Sequence, residues 1–417
     1  MYHPEIARKR LDRLVDLVRK RTDPLFEPRI SEIKEIDGWI ARLEGVFDSE
    51  KGLKRALSEA EQRFILNEVT ISKADFSYWA ARYPRIKTKE QTLSRIVLLE
   101  SQEIILERVA AAELAAVSRE TGDGILLAIL KARQLGASTL TEAMIAHRCF
   151  FYSNTTALVA GDVPEQSAYL FDMIERVYDN LPWWMRPELT FHVKDRQMWF
   201  GPLDSLILVE SGKSVRGGSD LERGRGQMGR GKTYPLVHGS EISTWENTEQ
   251  IDDSLLPAIP EHPRTLAIFE STARGRGNYW HNAWILAKKG LGRFTPVFIP
   301  WYAESRTYTR PAPLDWHPSE IALAHALKAR EVSARWCGRS IALTRDQLFW
   351  WERKRAEAIE KKNLHVFLAE YCADDLEAFQ NTSRSVFPAE VLHELRQHAR
   401  DPHLFDLEVR GVTQGLA

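Results

Sequence analysis

The chain has 417 residues, 44% hydrophobic and 10% aromatic, enough for a large core and a length suited to two or three domains. Lys and Arg total 57 against 58 for Asp and Glu, which excludes a protein that coats nucleic acid by net charge alone and confines any such contact to local patches. No apolar run reaches the roughly eighteen residues of a membrane helix, and the charged start MYHPEIARKRLDRL is unlike a secretory leader, so a cytoplasmic protein is expected.

The opening stretch is expected to be helical: PEIARKRLDRLVDLVRKR places Ile6, Leu11, Leu14, Val15 and Val18 at helical spacing. From Ile125 onward, short apolar runs bounded by turn residues alternate with helical stretches. The runs are ILLAIL (125–130), ALVAG (157–161), SLILVE (205–210), YPLVH (234–238), TLAIF (265–269) and FTPVFI (294–299). Strands this apolar suit a mainly parallel sheet covered on both faces, and the intervening STLTEAMIAHRCFF and QSAYLFDMIERVYDNL supply covering helices, so the expected class is α/β. After Pro300, RTYTRPAPLDWHP is a connector and the remainder is mostly helical, densely charged over 316–363. Three units are expected: a helical segment 1–87, an α/β core 88–305 and a lid-like helical subdomain 306–417. Cys149, Cys337 and Cys372 are scattered, odd in number and without CxxC spacing, and read as core thiols.

The segment Lys131-Ala-Arg-Gln-Leu-Gly-Ala-Ser-Thr139 follows an expected strand and opens an expected helix. That is the context of a phosphate-binding loop, in which backbone N–H groups and the positive helix end cradle phosphate oxygens and a helix-start hydroxyl ligates magnesium. Ser138 has that position, with Arg133, Gln134, Leu135, Gly136, Ala137 and Thr139 around it. Ala137 stands where the usual motif has lysine, so the cation must come from the front of the loop, from Lys131 or Arg133. Taken alone, a helix N-cap by Ser138 or Thr139 explains the segment equally well.

Two further strand ends extend the pattern. YPLVHGSE ends in Ser240 and Glu241; a carboxylate there can align an attacking water, with Ser240 binding magnesium through water. TLAIFEST ends in Glu270, Ser271 and Thr272, of which Ser271 and Thr272 are placed to sense the γ-phosphate and couple its loss to movement. An ST-turn is the bland alternative for that pair.

These elements, in this order, resemble the large terminase subunit of tailed bacteriophages. KARQLGAST is similar to its phosphate loop with a displaced lysine, HGSEIS to its Walker B variant, and ESTARGRGN to its coupling motif. The resemblance runs from about Thr88 to Phe387, taking in FIPWYAE and EYCADDLEAFQNTSRSVF. It implies a P-loop ATPase core, Mg-ATP as the nucleotide, Arg230 as an arginine finger acting in cis or from a neighbour, and Gln102 as the residue that reads adenine. It further implies a pentameric ring at the procapsid portal in the host cytoplasm, working with the portal protein and the small terminase subunit to move double-stranded DNA. The basic stretch from Lys213 to Lys232, six positive side chains with two acids, is a local DNA contact on this reading. Asp374, Asp375 and Glu377 precede the place where the family's nuclease domain begins, so a motor portion without DNA cleavage is expected. The competing readings are a catalytically silent docking protein of the same fold and another nucleic-acid ATPase.

Three other signals carry less. Gly224-Arg-Gly-Gln-Met-Gly229 has dinucleotide-binding spacing but precedes a strand, and His393-Glu394 with His398 is one residue too long for a zinc helix. The Trp183-Trp184 pair and the other scattered tryptophans read as core or interface residues.

Overall fold

The computed structural model describes residues 30–89, 91–118, 124–211 and 232–379. The run Ile6 to Val18, the glycine-rich segment with Arg230, and His393 to His398 lie outside them. The described chain opens with helix α1 (Ile30–Gly45), the small hairpin β1 (Phe47–Asp48) and β2 (Gly52–Leu53), and helices α2 (Glu59–Ala74) and α3 (Phe76–Arg82). A capping box starts α2: Ser58 N–H donates to Glu61 Oε2 at 2.8 Å, and Glu61 N–H to Ser58 Oγ at 3.4 Å. Asp75 caps α3 by accepting from Tyr78 N–H at 3.0 Å. A second hairpin, β3 (Arg85–Lys87) with β4 (Leu93–Arg95), leads to helix α4 (Glu100–Ser118).

Aromatic rings fasten this region to the sheet layer. Trp183 stacks on Phe47 at 4.6 Å and donates to Leu43 O, Trp184 meets Phe64 and Tyr83 edge-on, and buried Trp79 packs on His147 and Phe151. The tryptophan pair is therefore interface packing, as its sequence context suggested.

The sheet is built from β5 (Ile125–Lys131), β6 (Thr156–Gly161), β7 (Phe191–Val193), β8 (Gln197–Phe200), β9 (Ser205–Ser211), β10 (Leu236–Ser240), β11 (Leu266–Ser271) and β12 (Thr295–Ile299), in spatial order β12-β5-β11-β10-β6-β9-β8-β7. The run from β12 to β9 is parallel, and β8 and β7 add antiparallel strands at one edge. Helices α5 (Ala137–Phe151), α6 (Pro164–Asp179) and α7 (Tyr279–Lys288) link and cover the strands. The mixed α/β class and all six apolar runs are borne out. Every residue of β5, β10 and β11 is buried, as expected of central parallel strands. Strand ends shift by one or two residues, most at the run beginning with Tyr234, which enters the sheet at Leu236; Pro235 has no N–H to donate, though its carbonyl accepts from Leu266 N–H at 2.8 Å. The pair β7 and β8 was not foreseen, because FHV and QMWF are too short to show alternation against a charged turn.

Helices α8 (Glu320–Trp336), α9 (Arg345–Glu360), α10 (Leu364–Glu370) and α11 (Asp375–Phe379) follow the connector. One hydrophobic core, from Ile36 to Phe379, joins them to the sheet layer, and Cys149, Cys337 and Cys372 are buried free thiols within it. Here His325 is sandwiched between Trp301 and Trp351, with ring centroids 5.8 and 3.9 Å away. Burial, with Lys328 and Arg355 nearby, pushes its pKa down to about 3, so the ring is neutral in the fold. A depressed histidine pKa means that the unfolded chain binds the proton first: stability is full above about pH 6.5 and declines as pH falls toward 3. Denaturant unfolding should show a loss on the order of 2 kcal/mol between pH 7 and pH 5 from this residue. His325→Phe, which keeps the stack, should remove that part of the acid sensitivity.

Candidate active site

The carboxyl ends of β5, β10 and β11 converge beside the turn between β5 and α5, because β11 lies between the other two in the sheet. Ligands gather at such strand ends in parallel sheets. The turn itself needs two left-handed residues, Gln134 at φ 55° and Gly136 at φ 73°. Gly136 is the N-cap of α5 and no side chain caps the helix. The sequence alternative of a Ser138 or Thr139 cap is thus not what the structure uses, and the positive helix end faces the turn uncapped.

The turn is braced from α4. Ser101 Oγ donates to Leu135 O at 2.8 Å, and the Gln102 carboxamide donates to Gly136 O at 2.8 Å while accepting from Leu99 N–H at 2.9 Å. Leu135 and Ala137 are buried, and Thr139 Oγ1 lies 4.0 Å from Met173 Sδ. Arg133 points elsewhere: its guanidinium is 3.0 Å from Glu370 Oε2 and its side chain is 60% exposed. Tyr308 donates to its carbonyl.

Lys131, the last residue of β5, is buried and turns into the site. Its ammonium lies 3.0 Å from Glu270 Oε2 and 3.3 Å from Glu241 Oε1. Burial alone would lower the Lys131 pKa, but the two carboxylates outweigh it and hold the side chain firmly charged. Ser138, in the first turn of α5, donates to Glu270 Oε1 at 2.8 Å, and Ser240 Oγ donates to the same oxygen at 2.8 Å. Glu241 follows β10 in a left-handed conformation, φ 54°, an uncommon state for a non-glycine residue that directs its carboxylate back over the strand ends. Ser271 Oγ is 3.4 Å and Thr272 N 3.5 Å from Glu241 Oε2, and Ser271 also donates to Ser243 Oγ at 2.8 Å. These contacts cross between strands, so the hydroxyl of Ser271 is not spent on a local ST-turn.

Lys131, Ser138, Ser240, Glu241, Ser271 and Thr272 therefore meet in one place, with Gln102 bracing the loop and Arg133 on its outer side. The sequence reading assigned no role to Glu270, which sits at the centre of the cluster, nor to His238 and Glu142 behind it. His238 Nδ1 and Glu142 Oε1 are 2.6 Å apart, and His238 Nε2 is 3.6 Å from Glu270 Oε1. Burial would depress His238, but Glu142 and Glu270 raise its pKa to about 9, so the ring is cationic at neutral pH. A histidine inside an otherwise apolar strand run, and a glutamate among the buried positions of α5, were the available signals.

The donor set consists of hard oxygens: the hydroxyls of Ser138 and Ser240 and the carboxylates of Glu241 and Glu270. That set suits magnesium shared with a phosphate, which binds few protein carboxylates. Backbone N–H groups of the turn and of the first turn of α5 suit the phosphate itself.

No family model matches the chain. No curated protein matches it in sequence. Among solved structures, the HK97 bacteriophage large terminase is similar over 67% of this chain, at 15% identity and a TM-score of 0.43; the chain spans about half of that protein, 51%. The large terminase ATPase domain of Thermus phage P74-26 is similar at 12% identity and a TM-score of 0.37, over 67% of this chain and 99% of that domain. The large terminase from another, thermophilic bacteriophage is similar at 9% identity and a TM-score of 0.36, over 60% of this chain and 54% of its own.

The brace at Gly136 is open to direct test. A Cβ there would lie 2.7 Å from Gln102 Nε2 and 3.0 Å from Leu99 Cδ1, and a left-handed non-glycine residue costs about 1–2 kcal/mol by itself. Gly136→Ala should destabilise the protein by more than that in denaturant unfolding. Measured against Gln102→Ala alone, Gly136→Ala should cost less, by the Gln102 part of the clash, with the Leu99 contact and the backbone part remaining.

Proposed function

We propose that the chain is the ATPase motor portion of a phage DNA-packaging terminase, coupling Mg-ATP hydrolysis to translocation of double-stranded DNA. The observation that carries this reading is that Lys131 and Glu241, at the carboxyl ends of two parallel strands flanking β11, meet each other, while Ser138 in the first turn of the uncapped helix α5 reaches the same spot through Glu270 on β11. It is the arrangement that phosphoryl transfer requires: a cation and backbone donors for phosphate, a hydroxyl for the metal and a carboxylate for water. The sequence resemblance over the same motifs supplies the packaging context, and with it the pentameric ring, the portal protein, the small terminase subunit and the host cytoplasm.

In this reading Lys131 supplies the cation absent at position 137. Its ammonium is buried in the site, whereas Arg133 is held on the outer side by Glu370. Glu241 aligns the attacking water: its side chain is 27% exposed, so water reaches it, and Lys131, Ser271 and Thr272 N–H fix its orientation. Ser271 and Thr272 touch Glu241 directly and so are placed to relay a change at the phosphate to α7 and the helices beyond. Magnesium, when bound near Ser138, offsets charge on the transferring phosphoryl oxygens. Gln102 acts through the loop it clasps, whose position relative to α4 sets the nucleotide pocket. Arg230 remains the proposed arginine finger, and the basic stretch around it the proposed DNA contact.

Magnesium-dependent ATP hydrolysis, measured over a range of protein concentrations with and without DNA, tests the reading. Glu241→Ala should lower turnover by about 100-fold or more, the lower end of what a positioned base contributes. Lys131→Ala should do the same, while Arg133→Ala should retain most activity. Turnover unaffected by Glu241→Ala would remove Glu241 from the reaction, and turnover absent at every concentration would favour the silent docking protein.

A further inference from the structure

We propose that Glu270, on β11, supplies the magnesium-side carboxylate that the chain lacks at position 240 on β10. The proposal rests on the nucleotide-site reading above and names a ligand-positioning group within it. It begins from register. Ser240 and Glu270 are directly paired across the parallel strands β10 and β11, so their side chains emerge on the same face. A serine at the end of β10 is neutral and short. A glutamate one strand over, closer to the phosphate loop and longer by a methylene than aspartate, can bring negative charge to the same place.

Its contacts point the same way. Two hydroxyls, from Ser138 on the loop helix and Ser240 on the strand, donate to the single oxygen Oε1, each at 2.8 Å. Donating uses each hydroxyl's proton and leaves oxygen lone pairs for a hard cation. Oε2 is 3.0 Å from the Lys131 ammonium. The carboxylate is fully buried. Its neighbours are the Lys131 ammonium, the His238 ring and the Ser138 and Ser240 hydroxyls, and a carboxylate taken out of water in this way needs a cation beside it.

Exposure separates the two acids. Glu241 is open to water and Glu270 is not, so Glu270 is excluded as the water-aligning group. If Lys131 turns toward phosphate as a nucleotide enters, Glu270 loses its nearest cation, and a divalent ion at the Ser138 hydroxyl restores it. His238, held by Glu142 and standing 3.6 Å behind Oε1, keeps the carboxylate aimed at that spot.

The experiment compares ADP affinity with magnesium and with EDTA, by calorimetry, in the unmodified chain, Glu270→Gln and Glu241→Gln. Manganese bound in the presence of ADP is counted by electron paramagnetic resonance. In Glu270→Gln the tightening due to magnesium should shrink by about 10–100-fold, manganese should be lost, and metal-free ADP binding should persist. Glu241→Gln should keep most of the magnesium effect. Adding Ser240→Asp to Glu270→Gln should restore the metal linkage. If Glu270→Gln does not fold, Glu270→Asp, which keeps the charge but withdraws it, should show a weaker form of the same loss. Full magnesium tightening in whichever Glu270 variant folds would overturn the proposal. An unmodified chain that binds no ADP under either condition would instead overturn the nucleotide-site reading.

Discussion

The buried pair of Lys131 and Glu270 is the constraint around which the rest of the site is arranged. Both charges are taken out of water at the meeting point of three strands, and such charges persist only with close partners and hydrogen bonds. Glu270 has them: two hydroxyl donors, the Lys131 ammonium and the cationic ring of His238. They come from three elements other than its own strand, Lys131 from β5, Ser138 from α5, and Ser240 and His238 from β10, so β5, α5, β10 and β11 must be in register for the charges to be tolerated. The same geometry holds Glu241 against Lys131 at the solvent edge, where it can act on water.

The helical regions on either side meet at the turn between β5 and α5. From α4, Ser101 and Gln102 hold the carbonyls of Leu135 and Gly136. From the carboxyl-terminal helices, Glu370 holds both the backbone and the side chain of Arg133, and from the connector before them Tyr308 donates to the Arg133 carbonyl. Glu304 ties the two sides together, accepting from Glu100 N–H at 2.8 Å and pairing with Arg306 at 2.9 Å. A loop clasped from both flanks cannot shift alone. Any displacement of the loop is delivered to α4 on one side and to α10 on the other.

The sheet was legible because its central strands are buried on both faces and leave unbroken apolar runs, and because strand ends announce themselves by polar residues. That same rule located Ser240, Glu241, Ser271 and Thr272. The hub was harder to read. Glu270 follows an apolar run as Glu241 nearly does, and only the order β5-β11-β10 shows that it lies between the loop and Glu241. His238 and Glu142 are 96 residues apart, and no spacing rule joins a strand interior to a helix face. Lys131 and Arg133 were equal candidates in sequence. The end of β5 at Lys131 and the salt bridge of Arg133 to Glu370 separate them in the fold, one turned inward and buried, the other held outside the strand.

Denaturant unfolding of Lys131→Met, Glu270→Gln and the double variant at neutral pH, in the absence of nucleotide, tests the central claim most directly. If the pair is the constraint described, Lys131→Met strands a buried carboxylate and should cost about 3–5 kcal/mol, while the double variant should recover more than half of that loss. Costs that simply add in the double variant would show that the two charges are independent, and would contradict the account.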